Sequence, residues 1–524
     1  MLPVFSFVNR KTMIDRVANT PLWDVCVIGG GATGLGIAVD AASRGLKTVL
    51  VERSDFAKGT SSKSTKLVHG GVRYLQQGNV KLVTEALKER GILLRNAPHL
   101  VKNQSFIIPN YSWWEKPYYG IGLKVYDWMA GSLGLGPSRF LSREETLAMA
   151  PTIDTEGLKG GVEYHDGQFD DARLAIHLAM TAADHGATLV NYFAVEDLIR
   201  ENGKIRGVIV TDKLKDPGAS HTIRATSVIN ATGVFADNIL RMDQGRAEPT
   251  LSLSQGIHLV FDREFLPSDH AILIPRTEDK RVLFAVPWHG KIIAGTTDTP
   301  VAVATDEPVA LEEEIAFVLE HIRKYFAKDP ARDDIKSVFA GLRPLVKASA
   351  KTTAALSRDH HIAVSGSGLI TVSGGKWTTY RKMAEDAVDR VVQLYSLKAS
   401  PCKTESLRIH GFQSTADFSD RLYYYGSDKH AILSLTTAPT APGGDQGHFT
   451  EAEVIWATRN EMCMQVEDFL ARRNRLLLLD AKAAIAVSPS VARTMARELG
   501  EDERWIDRQV AAFTSLAKNY LPAG

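Results

Sequence analysis

The chain has 524 residues with 62 Lys+Arg against 61 Asp+Glu, a formal net charge of +1 that argues against a nucleic-acid partner, since such proteins draw on a basic excess or stripe. A 44% hydrophobic and 23% charged composition excludes disordered, collagen-like and coiled-coil classes, and at roughly 150 residues per domain the length predicts about two to four domains. Cys26, Cys402 and Cys463 lie far apart and not at metal-ligand spacing, so neither a disulfide framework nor a metal site is expected.

Residues 1–23 lack the basic-then-apolar order of a secretory signal, and no stretch reaches the roughly 18 apolar residues that span a bilayer. Asp24–Ile28 is a short β-branched run that reads as a buried parallel strand. It meets Gly29-Gly-Gly-Ala-Thr-Gly34, then a helical stretch with Leu35, Ala38, Val39 and Ala42 on one face, closed by Gly45. Lys47–Glu52 follows as a second strand. Residues 85–150 mix helical periodicity with an aromatic-rich segment from Tyr111 to Trp128. Asp170 is the expected N-cap of a helix. Strands are expected between Thr188 and Val210, at Thr226–Gly233, and through about 250–345. Pro439, Pro442, Gly443 and Gly444 mark a boundary, and Thr450-Glu-Ala-Glu453 is a capping-box pattern that opens a helical region. Arg459, Arg472, Arg473 and Arg475 cluster there. They read as a solvated helix face, with a lipid or dimer contact as the sharper alternative.

The glycine motif carries the first chemistry. Gly29 permits a tight turn, Gly31 lets the backbone approach a pyrophosphate, and Gly34 lets helix and strand pack closely. The helix N-terminus favours an anion, and Glu52, ending the next strand, suits a ribose hydroxyl and disfavours a 2′-phosphate. This pattern does not choose between FAD and NAD. Two later glycine turns, Asn230–Gly233 and Val372–Gly375, are typical of flavoproteins whose chain returns to the first domain.

Thr60-Ser-Ser-Lys-Ser-Thr-Lys-Leu-Val-His-Gly-Gly-Val-Arg-Tyr-Leu75 resembles the FAD-dependent, respiratory glycerol-3-phosphate dehydrogenases. Asp166–Leu174, Gly295–Asp298, Gly341–Leu345, Ser357–Asp359, Gly374–Arg381 and Glu461–Arg473 agree in the family's order, and the likeness spans about 22–515. The resemblance implies an α/β fold: a doubly wound, Rossmann-like FAD-binding domain of the glutathione-reductase type, a mostly antiparallel β substrate cap, and a helical C-terminal domain. The oxidoreductase region is placed at 22–400, with cap segments at about 80–160 and 250–345, a boundary at 401–449 and the helical domain at 450–522. It further implies oxidation of sn-glycerol 3-phosphate to dihydroxyacetone phosphate, with electrons passing from FAD to a membrane quinone. Peripheral attachment to the cytoplasmic face of an inner membrane is a separate expectation. The aromatic segment suits such a surface, the alternative being cap core and rim. A homodimer is compatible. Oxygen as acceptor, or an amine or amino-acid substrate, are the rival readings.

By the same resemblance, Arg73, Tyr74, Arg358 and Lys376 are expected near substrate. The expected cofactor contacts are Gly29, Gly31, Gly34, Glu52, Thr60, Ser61, Ser62, Lys66, Leu67, His69, Val195, Gly233, Gly375, Lys376, Trp377 and Thr378. Guanidinium forks suit a phosphate dianion. For the hydroxyl proton three candidates stand, His258, His69 and Arg343, and the sequence does not choose among them. The family usually carries Lys-Gly where this chain has Gln255-Gly256, which removes either an auxiliary phosphate contact or a structural ion pair. The chain shows no Asp-rich twelve-residue loop, so calcium regulation is not expected.

Overall fold

The computed structural model describes residues 9–71, 79–113, 115–215, 218–245, 248–274, 282–323, 325–326, 328–347, 360–435 and 448–522. The apolar run Trp23–Ile28 is a central strand, parallel to Thr48–Val51 on one side and to Ala219–Asn230 on the other. Thr188–Val190 and Ile370–Gly374 extend the sheet in parallel, and His360–Val364 adds an antiparallel edge. Helices Ala32–Ser43, Asp171–Asp184 and Tyr380–Tyr395 pack together over these strands. Asp170 caps its helix by accepting from the Arg173 N–H at 3.0 Å, and Gly45, at φ 88°, follows the first helix. Close packing is built into the first turn: a Cβ on Gly34 would lie 1.9 Å from the Gly29 carbonyl oxygen.

A second, almost wholly antiparallel sheet forms the cap. Its long pair is Leu251–Asp262 against Ser337–Val346, in a register that sets Ser254 opposite Arg343, Gly256 opposite Gly341 and His258 opposite Phe339. Side chains alternate between faces of a strand. Ile257, Leu259 and Ala340 therefore point the other way, into a core with Ile315, Val318 and Leu319 of helix Glu312–Arg323. Val101–Asn110 is also a cap strand, between Gly160–Phe169 and Ala271–Ile274, where the sequence showed only mixed periodicity. Its polar start and continuous Phe106–Ile108 run hide the alternation that marks a half-buried strand.

Helices Glu451–Asn460, Ala481–Leu499 and Glu503–Ala517 make the C-terminal part. The Glu453 carboxylate reaches back to the Thr450 N–H at 2.7 Å, as the capping-box pattern requires. Ala484, Val487, Val491 and Met495, at helical spacing, join Val260, Trp288, Ile293 and Phe339 of the cap sheet in one core.

The arginine cluster is not a solvated face. Arg472, Arg473 and Arg475 are buried and ion-paired, Arg473 to Asp55 at 2.7 Å and Arg475 to Asp170 at 2.8 Å, and only Arg459 lies outside, against Glu498. Asp55 and Asp170 lie hundreds of residues away in sequence, so local spacing could not reveal them, although Arg472 also pairs with the nearby Glu467 and Asp468. Arg173 and Glu461 form a further fully buried, two-pronged pair, both contacts at 2.8 Å.

His410 sits between Asp184, at 2.6 Å, and Asp428, at 3.0 Å. Burial alone would lower its pKa, but the two carboxylate hydrogen bonds more than offset this and raise it from 6.5 to about 10. A folded-state pKa above the unfolded value gives stability that is complete below the unfolded pKa and lost as pH rises through the folded one. The melting temperature of the wild type is therefore expected to fall between pH 6.5 and about 10 by a component that His410→Gln abolishes, read from thermal melts across that range. Gly34→Ala is expected to cost on the order of 1–3 kcal/mol in urea denaturation, because neither backbone segment can give way.

Candidate active site

Between the two sheets lies a cavity of about 430 Å³. At its first end, Gly29 adopts φ 109°, and a Cβ there would lie 2.6 Å from the Ala231 carbonyl oxygen, so only glycine lets the turn sit on the neighbouring strand end. Gly31, Ala32 and Thr33, at the start of the helix, line the cavity. Glu52 also lines it, its carboxylate accepting from the Gly30 N–H at 2.7 Å and the Ser54 N–H at 2.8 Å. Burial raises the Glu52 pKa, opposed by those two bonds. Each oxygen keeps a lone pair for a ribose hydroxyl.

Along the cavity, Ser61 joins three segments. Its hydroxyl oxygen accepts from the Ala32 N–H at 2.9 Å, and its carbonyl accepts from Trp377 Nε1 at 2.8 Å. The Thr60 hydroxyl is spent on the Leu342 carbonyl at 2.6 Å, tying the loop to the cap. The His69 N–H donates to Thr378 Oγ1 at 3.2 Å, so two regions 309 residues apart meet on one wall. Leu67, Val195, Gly233, Gly375 and Lys376 complete the lining expected for the cofactor. Glycine φ values of 57° at Gly233 and 81° at Gly375 keep the backbone open there. A backbone cradle at a helix N-terminus, a ribose-facing carboxylate and a long polar wall fit FAD.

Three expected contacts stand elsewhere. Gly34 serves helix packing. Ser62 is buried behind the wall, its carbonyl accepting from Lys66 Nζ at 2.7 Å. Lys66 is itself buried, paired with Asp171 at 2.8 Å, and does not reach the cavity. Arg73, Tyr74 and Arg358 lie outside the described residues.

At the cap end, His258 and Arg343 project from the same sheet face and line the cavity, which His69 lines as well. Arg343 Nη2 donates to Thr296 Oγ1 at 2.9 Å, and Nη1 lies 3.5 Å from Asp298. A Cβ on Gly256 would fall 2.1 Å from Arg343 Nη2, so this glycine makes room for the guanidinium. His258 stacks on Phe339, with ring centroids 4.8 Å apart, and its Nε2 is 2.9 Å from Thr65 Oγ1. Burial, and after it the Lys66 and Arg343 charges, lower the His258 pKa well below its ordinary value, which leaves the imidazole neutral. Thr65 and Thr296 were missed by sequence reasoning, because a single threonine in a loop carries no signal of its partner.

Gln255 belongs to the other face. Its amide donates to Glu314 at 2.7 Å and to the Val309 carbonyl at 3.0 Å, inside the cap and away from the cavity. The family's lysine at this position would face Glu314 as well, so the departure bears on a cap contact, not on phosphate.

Residues 24–381 match the family described as FAD dependent oxidoreductase, and residues 369–505 match the C-terminal domain of alpha-glycerophosphate oxidase. The chain is 38% identical to the mitochondrial glycerol-3-phosphate dehydrogenase of Schizosaccharomyces pombe over 98% of its own length and 89% of that protein. It is 40% identical to the human mitochondrial glycerol-3-phosphate dehydrogenase, covering 94% of this chain and 73% of the relative. The crystal structure of the glycerol-3-phosphate dehydrogenase from Bacillus halodurans complexed with FAD superposes with a TM-score of 0.79 at 31% identity, covering 98% of each chain. With its dinucleotide cradle, antiparallel cap and helical C-terminal part, this chain belongs to the FAD dependent oxidoreductases and, within them, to the glycerol-3-phosphate dehydrogenases.

Proposed function

We propose that this protein oxidises sn-glycerol 3-phosphate at C2 to dihydroxyacetone phosphate, with FAD as cofactor and a membrane quinone as the final electron acceptor. The observation that carries the reading is the shared face of one strand pair, where a neutral imidazole and a guanidinium open on the cavity of the dinucleotide fingerprint. FAD, when bound, supplies a two-electron acceptor for the hydrogen on C2. Arg343 binds the anionic substrate, its position set by Thr296 and by the space at Gly256. His258 takes the C2 hydroxyl proton, and Thr65 orients its ring. Lys66 and Arg343 oppose a charge on His258. A bound phosphate dianion supplies the negative charge that offsets them, so the base gains proton affinity when substrate is present. His69 and Lys376, which also line the cavity, are assigned to the cofactor.

The membrane part of the proposal rests on helix Glu115–Ala130, whose two faces are both apolar. Tyr119, Leu123 and Tyr126 are buried, whereas Ile121, Val125 and Trp128 are exposed at helical spacing, beside an exposed Trp113. Among the described residues no helix is long and apolar enough to cross a membrane. A stripe rich in tryptophan suits attachment within the headgroup region, here the cytoplasmic face of an inner membrane.

Anaerobic addition of sn-glycerol 3-phosphate to the yellow holoprotein is expected to bleach the flavin, and a quinone analogue is expected to restore it faster than air does. An unbleached flavin would sink the substrate assignment, and faster reoxidation by air would sink the quinone. Arg343→Lys is expected to raise KM roughly 10- to 100-fold, the worth of a charge-assisted hydrogen bond. Replacing both Ile121 and Trp128 with Ser is expected to weaken liposome binding on the order of 10- to 100-fold in a flotation assay. Unchanged flotation would rule the stripe out as the attachment site.

A further inference from the structure

The cofactor reading leaves the C-terminal domain without a task, yet its buried charges converge on one cofactor wall. Residues 53–63 run from the end of the second strand to the cap. Arg53, Ser54, Ala57, Lys58, Thr60 and Ser61 of this loop line the cavity. Apart from one short helical turn at Thr60–Ser62, the loop has no regular structure of its own. Asp55 points the other way and is completely buried. Its carboxylate accepts from Arg472 Nε at 2.5 Å and from Arg473 Nη1 and Nη2 at 2.7 and 2.9 Å.

Two more contacts pin the same loop. Lys58 Nζ donates to both oxygens of Glu467, at 2.8 and 2.7 Å, and Glu467 also accepts from Arg472 at 2.8 Å. Lys63 pairs with Glu307 at 3.0 Å and hydrogen-bonds the Tyr520 hydroxyl. Asp468–Arg473 is a π-helical turn. Its widened backbone directs two successive arginines at one carboxylate, and such turns recur where a helix serves a local function. The loop is thus gripped from behind by side chains of the C-terminal domain, while its front faces the cofactor.

We propose that the C-terminal domain is a cofactor clamp in which Glu467, Arg472 and Arg473 are positioning residues that hold loop 53–63 in the shape that retains FAD. The proposal rests on FAD being the cofactor, and none of the three residues lines the cavity, so their effect passes through Asp55 and Lys58. Loss of a partner leaves a buried charge without compensation, and the loop has little internal structure to resist moving.

The test uses full-length protein and measures FAD dissociation by flavin fluorescence, together with melting of the FAD-stripped protein. Glu467→Gln removes the charge that faces Lys58 while keeping its shape, and Arg473→Lys keeps the charge while losing the two-pronged grip. Arg497→Gln breaks an exposed pair with Glu451 in the same domain and serves as the reference. Glu467→Gln and Arg473→Lys are expected to raise the FAD dissociation constant at least about tenfold, beyond what any lowering of stripped-protein melting accounts for, with Arg497→Gln unaffected. An unchanged dissociation constant in Glu467→Gln overturns the clamp. So does a rise that Arg497→Gln matches, or one that tracks lost stability of the stripped protein. Should Arg473→Lys fail to fold, Glu467→Gln decides alone. Wild-type protein that retains no FAD overturns the clamp and the cofactor reading together.

Discussion

Asp55 is a carboxylate removed from water and held between two guanidinium groups that the chain supplies more than 400 residues later. Burial alone would raise its pKa; Arg473 and Arg472 reverse that and hold it at about 2. Desolvating such charges is expensive, and the expense is offset only when geometry and hydrogen bonding are nearly complete. That condition is a strong constraint on assembly. The loop bearing Asp55, the helix that begins at Asp171, and the stretch Glu461–Arg475 have to meet in one arrangement, because any other leaves a buried ion unpaired. Arg173 with Glu461, and Arg475 with Asp170, apply the same constraint at neighbouring points. Apolar surface brings the helical part onto the cap sheet through Val260, Trp288, Ile293 and Phe339, and the ion pairs set the register of that contact.

The reaction centre depends on a simpler constraint, the two-residue period of a strand. Gly256 and His258 face the cavity, with Ser254 on the same side of the strand, whereas Gln255, Ile257 and Leu259 face the cap core. One strand therefore supplies both the wall of an active site and the packing that holds it rigid. Gly256 illustrates the economy of the design: its missing Cβ is the space that Arg343 occupies. The same period accounts for Gln255. An odd offset of three from His258 sends its side chain to Glu314, into an environment of hydrogen-bond acceptors that receive Thr297 and Thr299 as well.

Much of the first domain was legible in the sequence because its signals are local. Strand, glycine turn, helix and Glu52 lie within thirty residues, and Gly34 answers a contact with the Gly29 carbonyl that this local turn creates, although Gly29 itself answers Ala231 from a distant strand. Asp170 and Thr450 announced their helices for the same reason, a cap being made within one turn. The family motifs brought His258, Arg343, His69 and Lys376 onto the page. What they do not carry is who touches whom. Lys66 and Ser62 sit in a motif next to Leu67 and Ser61, yet they turn inward to Asp171 and to each other while their neighbours face the cavity. Val101–Asn110 gave no clear strand signal, because its polar start is followed by a half, Phe106–Asn110, buried on both faces, which erases the alternation that exposes a strand to reading.

The sequence by itself determined the dinucleotide fold, the flavoprotein family and the chemical types gathered at the site, since these rest on motifs whose physics acts within a turn or a strand. Only the tertiary structure decided that Arg472, Arg473 and Arg475 are buried partners of Asp55 and Asp170, that Gln255 belongs to the cap core, and that Thr65 and Thr296 contact His258 and Arg343. The physical reason is that a charge or hydroxyl is given its role by its partner. In this fold the partners come from other strands and loops, some about fifty and some hundreds of residues away in sequence.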